Sequence, residues 1–286
     1  MTGKILKAAG GSFHTETALG VVICRARGSL RLGSISPCAG DFVRLGQVGG
    51  DTLIEEILPR KNYLPRPPAA NIDLLVLVVS VCEPRPNTVV LDTMTVLAQL
   101  REIPAAIAFT KCDLAEPEPW AGIYRRAGFP LYCLSRAEPN KTDDLTTLRS
   151  ELAGKTVLFA GNSGAGKSTL LNRILPGLEQ QTAEISRKLG RGKHTTRQTE
   201  FFRADDMLLG DTPGFSALDL TQQGVTKREL PDGFREFAPY FGQCRFQDCA
   251  HLREPDCAVR AAAETGEIPT ERYRNYQRFC EELSGY

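Results

Sequence analysis

The residues best equipped for chemistry are Gly161, Asn162, Ser163, Gly164, Ala165, Gly166, Lys167 and Ser168, which fit the pattern G-x-x-x-x-G-K-[ST]. Glycines at such a turn let backbone N–H groups converge on phosphate oxygens at the start of a helix. Lys167 would neutralise the terminal phosphates of a nucleotide. The Ser168 hydroxyl would ligate Mg²⁺, with Thr169 beside it among the nucleotide contacts. A glycine-rich turn that binds nothing is the plainer alternative. The apolar stretch before the motif (Thr156 to Ala160) and the amphipathic one after it (Lys167 to Ile174) argue against it.

Two further segments extend the phosphate chemistry. The apolar run Met207-Leu208-Leu209-Gly210 leads into Asp211-Thr212-Pro213-Gly214. Asp211 would hold Mg²⁺ through water there, and the Gly214 N–H would meet the γ-phosphate. Between the motifs lies a basic, glycine-broken stretch, residues 189–197, carrying His194, Thr195 and Thr196. A switch threonine belongs here, with Thr196 as a Mg²⁺ ligand, although an ordinary solvated basic loop would read the same way.

The base is chosen elsewhere. Thr110-Lys111-Cys112-Asp113 ends the apolar run Ala105 to Phe109 and resembles the N-K-x-D motif of GTPases. A carboxylate at Asp113 accepts the ring N–H and the exocyclic amine of guanine. Adenine would leave groups unpaired there. Thr110 stands where Asn is usual, and its hydroxyl could donate to the base. Ser135, after Leu131 to Leu134, suits the last guanine-contacting loop.

A fourth constellation is Cys244-x4-Cys249-x-His251-x5-Cys257. Three thiolates and one imidazole in one short loop suit a tetrahedral structural zinc with no open position. The chain has only three histidines, and one of them falls here.

These residues need elements to position them. Short apolar stretches up to about residue 58 (Lys4 to Lys7, Gly20 to Arg25, Asp41 to Leu45, Thr52 to Ile57), parted by Gly-rich turns, predict a small closed barrel of the OB type. The run Pro59 to Pro68 reads as a stiff, proline-punctuated linker. From Asn71 onward, strands at Leu74 to Val81, Ala105 to Thr110 and Thr156 to Ala160 alternate with helices at Thr88 to Leu100, Thr142 to Leu152 and Lys167 to Ile174. That alternation predicts a parallel sheet covered on both faces. After Thr221 the strand signal stops, and a helix is expected from about Thr270 to Leu283. The domain reading is 1–60 barrel, 61–70 linker, 71–222 α/β nucleotide domain and 223–286 small α-rich zinc domain.

Charge is almost balanced at +1 over 286 residues, which excludes a uniformly basic nucleic-acid binder. It is unevenly spread: residues 1–66 hold nine Lys or Arg against five acids, leaving the rest of the chain at −3. A basic first module is compatible with a phosphate-facing surface, or simply with a solvated one. No apolar run reaches bilayer length, and the start lacks a signal-peptide pattern. Cys24, Cys82, Cys112 and Cys133 show no disulfide spacing, as expected of a cytoplasmic protein.

The order of the motifs is the most specific observation. The base motif (110–113) precedes the phosphate motif (161–168), and Asp211 to Gly214 comes last, so the usual cyclic order is kept from a different starting point. With the barrel, this permuted order and the C-x4-C-x-H-x5-C spacing, the chain closely resembles the bacterial small-ribosomal-subunit biogenesis GTPase family, RsgA, over essentially its whole length. That resemblance implies an OB-fold touching ribosomal RNA and a circularly permuted GTPase domain stimulated by the small (30S) subunit. It also implies a zinc domain contacting the same particle. The expected function is a late assembly factor that hydrolyses GTP to GDP and phosphate as a monomer. In Ras-like enzymes a Gln after D-x-x-G orients the attacking water; here the position is Phe215. His194 is the internal candidate for that task, and a solvent- or RNA-facing role for it stays equally open. Two rival readings remain at this stage. One is a zinc-containing RNA-binding protein with a structural nucleotide site, against which Lys167, Ser168 and Asp211 argue. The other is a stand-alone nucleotidase, which would have no use for the two flanking domains.

Overall fold

The structure is a computed structural model, and it describes residues 1–31, 35–136, 144–175, 199–212 and 219–285. The chain divides into two compact units. One comprises residues 1–74, 149–160 and 168–213, and the other residues 75–148, 161–167 and 214–286.

The first unit begins with a five-stranded barrel: β1 (Thr2–Ala9), β2 (Ser12–Thr17), β3 (Gly20–Ala26), β4 (Phe42–Val48) and β5 (Asp51–Ile57). A helical turn, α1 (Gly28–Arg31), follows β3. The strand order β1-β2-β3-β5-β4 closes through β1–β4 pairing, with β3 and β5 parallel. Side chains alternate across each strand, so every second residue turns inward. Ile5, Phe13, Cys24, Ala26, Val43, Leu45 and Ile54 form the barrel core. β2 is a strand that the sequence does not predict, because Ser12, His14, Thr15, Glu16 and Thr17 offer almost no apolar pattern. Its buried Thr15 is accommodated by the sulfur of Cys24, 3.1 Å from the hydroxyl.

The proline-rich stretch is more than a tether. β6 (Tyr63–Pro65) and β7 (Pro68–Ala70) form a short hairpin with Leu64, Ala69 and Ala70 buried. Beyond it the unit contains the parallel pair β11 (Thr156–Ala160) and β13 (Met207–Asp211), with β12 (Glu200–Ala204) antiparallel to β13. β12 in turn pairs with β1 at Lys7 and Glu200, whose side chains form an ion pair. Asp73 anchors the start of β11: its backbone N–H donates to the Thr156 carbonyl at 2.8 Å, and its carboxylate accepts the Thr156 N–H at 2.9 Å.

In the second unit, β8 (Leu74–Ser80), β9 (Ala105–Thr110) and β10 (Leu131–Leu134) run parallel in the order β10-β9-β8. β9 is buried at every residue and β8 at all but one, the pattern of a strand covered on both faces. Their crossovers are α2 (Thr88–Leu100) and α3 (Trp120–Arg126). α2 starts where the Asn87 side chain accepts the Val89 and Val90 N–H groups at 3.1 and 3.3 Å. α3 is absent from the sequence reading, since its seven residues bury only Ala121 and Tyr124. In sequence, α4 (Leu145–Leu152) precedes β11 and α5 (Lys167–Ile174) follows residues 161–166, both helices being divided between the two units.

The C-terminal region contains α6 (Ala258–Thr265), α7 (Thr270–Glu282) and no strand among the described residues. It packs on α2: Val96 and Leu97 share one core with Leu230, Phe234, Phe237, Val259, Tyr276 and Phe279. The rings of Phe234 and Phe237 stack at 5.1 Å, and Tyr276 meets both edge-on. Each buried phenylalanine contributes about 1.5–3 kcal/mol. Inside this core lies a charged network. Arg272, 0% exposed, donates to Asp92 of α2 at 2.7 Å and to Glu236 at 2.6 and 3.1 Å. Tyr124 and Asn275 donate to the same Asp92 carboxylate at 2.7 and 2.6 Å.

Candidate functional site

The phosphate loop has the backbone that its glycines predict. Gly164 and Gly166 adopt φ of 78° and 88°, a region that L side chains rarely enter. A Cβ at Gly166 would lie 3.2 Å from the Thr110 hydroxyl oxygen, and one at Gly161 only 2.4 Å from the Val78 carbonyl oxygen. A bulkier residue at 161 therefore cannot be admitted without moving β8. Asn162, Gly166 and Lys167 are half-buried and Ala165 is buried, while Ser163, Gly164, Ser168 and Thr169 are exposed. The two hydroxyls at the start of α5 thus stand on the solvent side, where a metal–nucleotide complex can reach them.

The base motif is fastened to this loop. Thr110 is 7% exposed, and its hydroxyl donates to the Ala165 carbonyl at 2.6 Å. The proton that could have served the base is thus directed to the phosphate loop. The hydroxyl holds the end of β9 against that loop. Lys111 follows with φ of 62° and places its ammonium on the Glu83 carbonyl. The segment containing Glu83 also touches the phosphate loop, since a Cβ at Gly164 would lie 3.5 Å from Pro84. The Cys112 N–H donates to the Leu134 carbonyl at 3.1 Å and its thiol to the Phe109 carbonyl at 3.4 Å. Asp113 accepts the Arg136 N–H at 3.0 Å, which holds it next to the buried Ser135. One segment thus gathers the phosphate loop, the Asp113 carboxylate and Ser135 with Arg136.

Within the first unit, Asp211 closes β13 opposite Phe159 of β11. The next hydroxyl, Thr212, donates to the Phe159 carbonyl at 2.8 Å, fixing the end of β13 against β11. His194, Thr195, Thr196, Gly214 and Phe215 lie outside the described residues.

Cys244, Cys249, His251 and Cys257 converge, with their ligand atoms all within 4.8 Å of one another. The His251 Nδ1 lies 3.5 Å from the sulfurs of Cys244 and Cys257, which are 3.9 Å apart. A tetrahedral ion with Zn–S of about 2.3 Å and Zn–N of about 2.0–2.1 Å has edges of roughly 3.8 and 3.6 Å. The donor set and its spacing therefore fit zinc. His251 adopts φ of 58°, and Phe241 stacks on its ring at 6.0 Å. Cys257 caps α6, its sulfur accepting the Arg260 N–H at 3.4 Å.

Glu254, beside these residues, is not marked by the sequence, because a glutamate in a polar loop carries no signal of its own. Its carboxylate accepts the N–H groups of Ala250, Leu252 and Arg253 at 3.0, 2.9 and 3.0 Å. Burial alone would raise this carboxyl, but the backbone N–H groups outweigh it and hold the pKa at about 2.

The barrel, the permuted motif order and the four-ligand loop point one way, and comparison with known proteins settles the family. The model described as RsgA GTPase matches residues 57–221, and the RsgA N-terminal domain matches residues 2–51.

The chain belongs to the RsgA GTPase family.

It is a GTP-hydrolysing enzyme of that family. The small ribosomal subunit biogenesis GTPase RsgA of Alkaliphilus metalliredigens is 40% identical over 288 residues, covering 98% of this chain and 97% of that protein. The protein of the same name from Bacillus subtilis is 40% identical over 294 residues, with 98% and 97% covered. Among solved structures, YloQ, described as a circularly permuted GTPase, superposes with a TM-score of 0.78 at 34% identity, covering 99% of this chain and 95% of that one. YjeQ from Thermotoga maritima superposes with a TM-score of 0.80 at 31% identity, covering 100% and 99%.

If Asp113 reads guanine, Asp113→Asn is expected to shift preference from GTP toward xanthosine nucleotides. An amide donates where xanthine offers a carbonyl. Nucleotide competition binding checks this, and a variant that binds GTP like the wild type would put the guanine motif elsewhere.

Proposed function

We propose that this chain binds GTP with Mg²⁺ and hydrolyses it to GDP and phosphate while docked on the small ribosomal subunit, as a late maturation factor. The observation that carries the nucleotide reading is the Thr110–Ala165 hydrogen bond, which joins the base motif to the phosphate loop. The ribosomal reading is supported by the name shared by relatives that align over almost the whole chain. Residues 161–169 hold the phosphates, with Lys167 neutralising the β- and γ-oxygens. Ser168, Asp211 and Thr196 serve Mg²⁺. Thr110, Lys111, Cys112, Asp113 and Ser135 form the guanine end. The first 66 residues, with their net charge of +4, face ribosomal RNA, and the C-terminal region grips the same particle. The protein works as a cytoplasmic monomer.

Cys244, Cys249, His251 and Cys257 hold one structural zinc. Metal analysis of protein prepared without chelator should find about one zinc per chain, lost in Cys249→Ala. Absence of stoichiometric zinc from the wild type would overturn the assignment.

Because Phe215 cannot orient water, turnover of the isolated enzyme should fall below the roughly 1–10³ s⁻¹ of typical enzymes. Docking would bring Thr195 or Thr196 to Mg²⁺ and His194 to the water. The deciding measurement is GTP hydrolysis with and without purified small subunits. Stimulation is expected for the wild type and not for His194→Ala, which should still bind both GTP and the subunit. Equal wild-type rates in both conditions would end the switch reading. Undiminished stimulation in the variant would remove only His194.

A further inference from the structure

The four metal ligands are held by a loop that one non-ligand carboxylate organises. The Oε1 atom of Glu254 takes the Ala250 N–H, and Oε2 takes those of Leu252 and Arg253. Ala250 and Leu252 are the two neighbours of His251, and Ala250 also follows Cys249 directly. The same carboxylate therefore pins the backbone on both sides of the imidazole and next to one thiol. That backbone would not hold its shape unaided. His251 sits at φ of 58°, a left-handed conformation that a residue with a Cβ keeps only where its surroundings impose it.

The opposite side of the loop is held by α7. The Tyr273 hydroxyl donates to the His251 carbonyl at 2.7 Å, and the Tyr276 hydroxyl to the Ala250 carbonyl. Both tyrosines are largely buried, so these carbonyls have fixed partners. The N–H groups of the loop depend on Glu254 in the same way, and no other side chain accepts from those three among the described residues.

We propose that Glu254 is the positioning residue of the metal loop, setting Cys249 and His251 in place for the ion without ligating it. This rests on the zinc reading above. The chemistry favours a carboxylate over an amide: two oxygens accept three N–H groups at once, and charge-assisted bonds of this kind are roughly twice as strong as neutral ones. Gln offers one accepting oxygen and must release either the Ala250 arm or the Leu252–Arg253 arm. With an arm free, Cys249 or His251 loses its fixed direction, and the ion escapes through a loop that must otherwise open as a whole. Outer partners of this kind change metal affinity by about 10–100-fold.

The experiment uses the zinc-loaded full-length chain and a chromophoric chelator, 4-(2-pyridylazo)resorcinol, which reports release as an absorbance rise. Zinc content of the wild type is measured first, so that failure of the zinc reading is seen separately. Glu254→Ala should release zinc roughly 10–100-fold faster than wild type, with Glu254→Gln in between. Arg253→Ala, in which an exposed side chain is removed and the backbone N–H kept, should release at the wild-type rate. Far-UV circular dichroism and a urea midpoint are recorded for each variant. A staple that only stabilises the fold would lower the urea midpoint and leave release unchanged. Wild-type release rates in both Glu254 variants would overturn the proposal, and Glu254→Gln carries the comparison if Glu254→Ala does not fold.

Discussion

Lys167→Ala should reduce GTP turnover by at least about 10²–10³-fold, the scale on which removing one preorganised charge-stabilising group acts. Phosphoryl transfer leaves little covalent chemistry to the protein, so positioning and neutralising the phosphates is most of catalysis. Lys167 is half-buried at the start of α5, directly after Gly166, where the loop closest to Thr110 turns into helix. Ser168→Ala should act in the same direction, since it removes the hydroxyl proposed to hold Mg²⁺. Neither change touches the loop that holds Cys244 to Cys257, so zinc content should stay at the wild-type value in both. A phosphate-release assay with metal analysis on the same preparations checks the pair. Turnover retained in either variant would move the reaction away from residues 161–168.

The second large effect is on stability. Asp92→Ala removes the acceptor shared by Arg272, Tyr124 and Asn275, all buried. Arg272 would keep Glu236 but lose the carboxylate at the other end of its guanidinium. Breaking a buried pair by deleting one partner costs about 3–5 kcal/mol, because the remaining charge stays desolvated. Against a total stability of about 5–15 kcal/mol, that is a large share. Urea unfolding of wild type and variant measures it, and a loss below about 1 kcal/mol would show that Glu236 and the Tyr124, Phe129 and Phe234 rings around the guanidinium suffice without Asp92. Asp92→Asn, which keeps the shape and one accepting oxygen, should lose less.

The nucleotide and metal motifs are legible in the sequence because their chemistry demands particular side chains at fixed spacing. Lys167, Asp113 and the Cys244-to-Cys257 set announce themselves without any knowledge of the fold. The buried strands β8, β9 and β11 are equally plain, since a short, unbroken apolar run must be covered on both faces wherever it lies. β2 is hidden for the opposite reason: Thr15 is polar yet buried, satisfied by a cysteine on a neighbouring strand. The proline-rich stretch reads as a spacer because the burial of Leu64, Ala69 and Ala70 depends on packing that local composition does not reveal. Thr110 reads as a base donor, whereas its hydroxyl reaches Ala165 at a separation of 55 residues. The Asp92–Arg272 pair spans 180 positions, and the surface-seeking habit of both residue types masks it. Glu254 shows the limit most clearly: its partners are backbone N–H groups, which every residue but proline possesses.

Helix α7 has two working sides. Arg272 and Asn275 reach Asp92, while Tyr273 and Tyr276 grip the His251 and Ala250 carbonyls. The segment that holds Cys244, Cys249, His251 and Cys257 is therefore not a portable cassette. Cut away and transplanted, residues 219–285 would carry Arg272 with Asp92 left behind, together with the phenylalanine surface that Val96 and Leu97 normally cover. Any dissection or chimera that preserves the segment must bring α2 with it, so the smallest transferable piece is a discontinuous one assembled from two distant stretches of the gene.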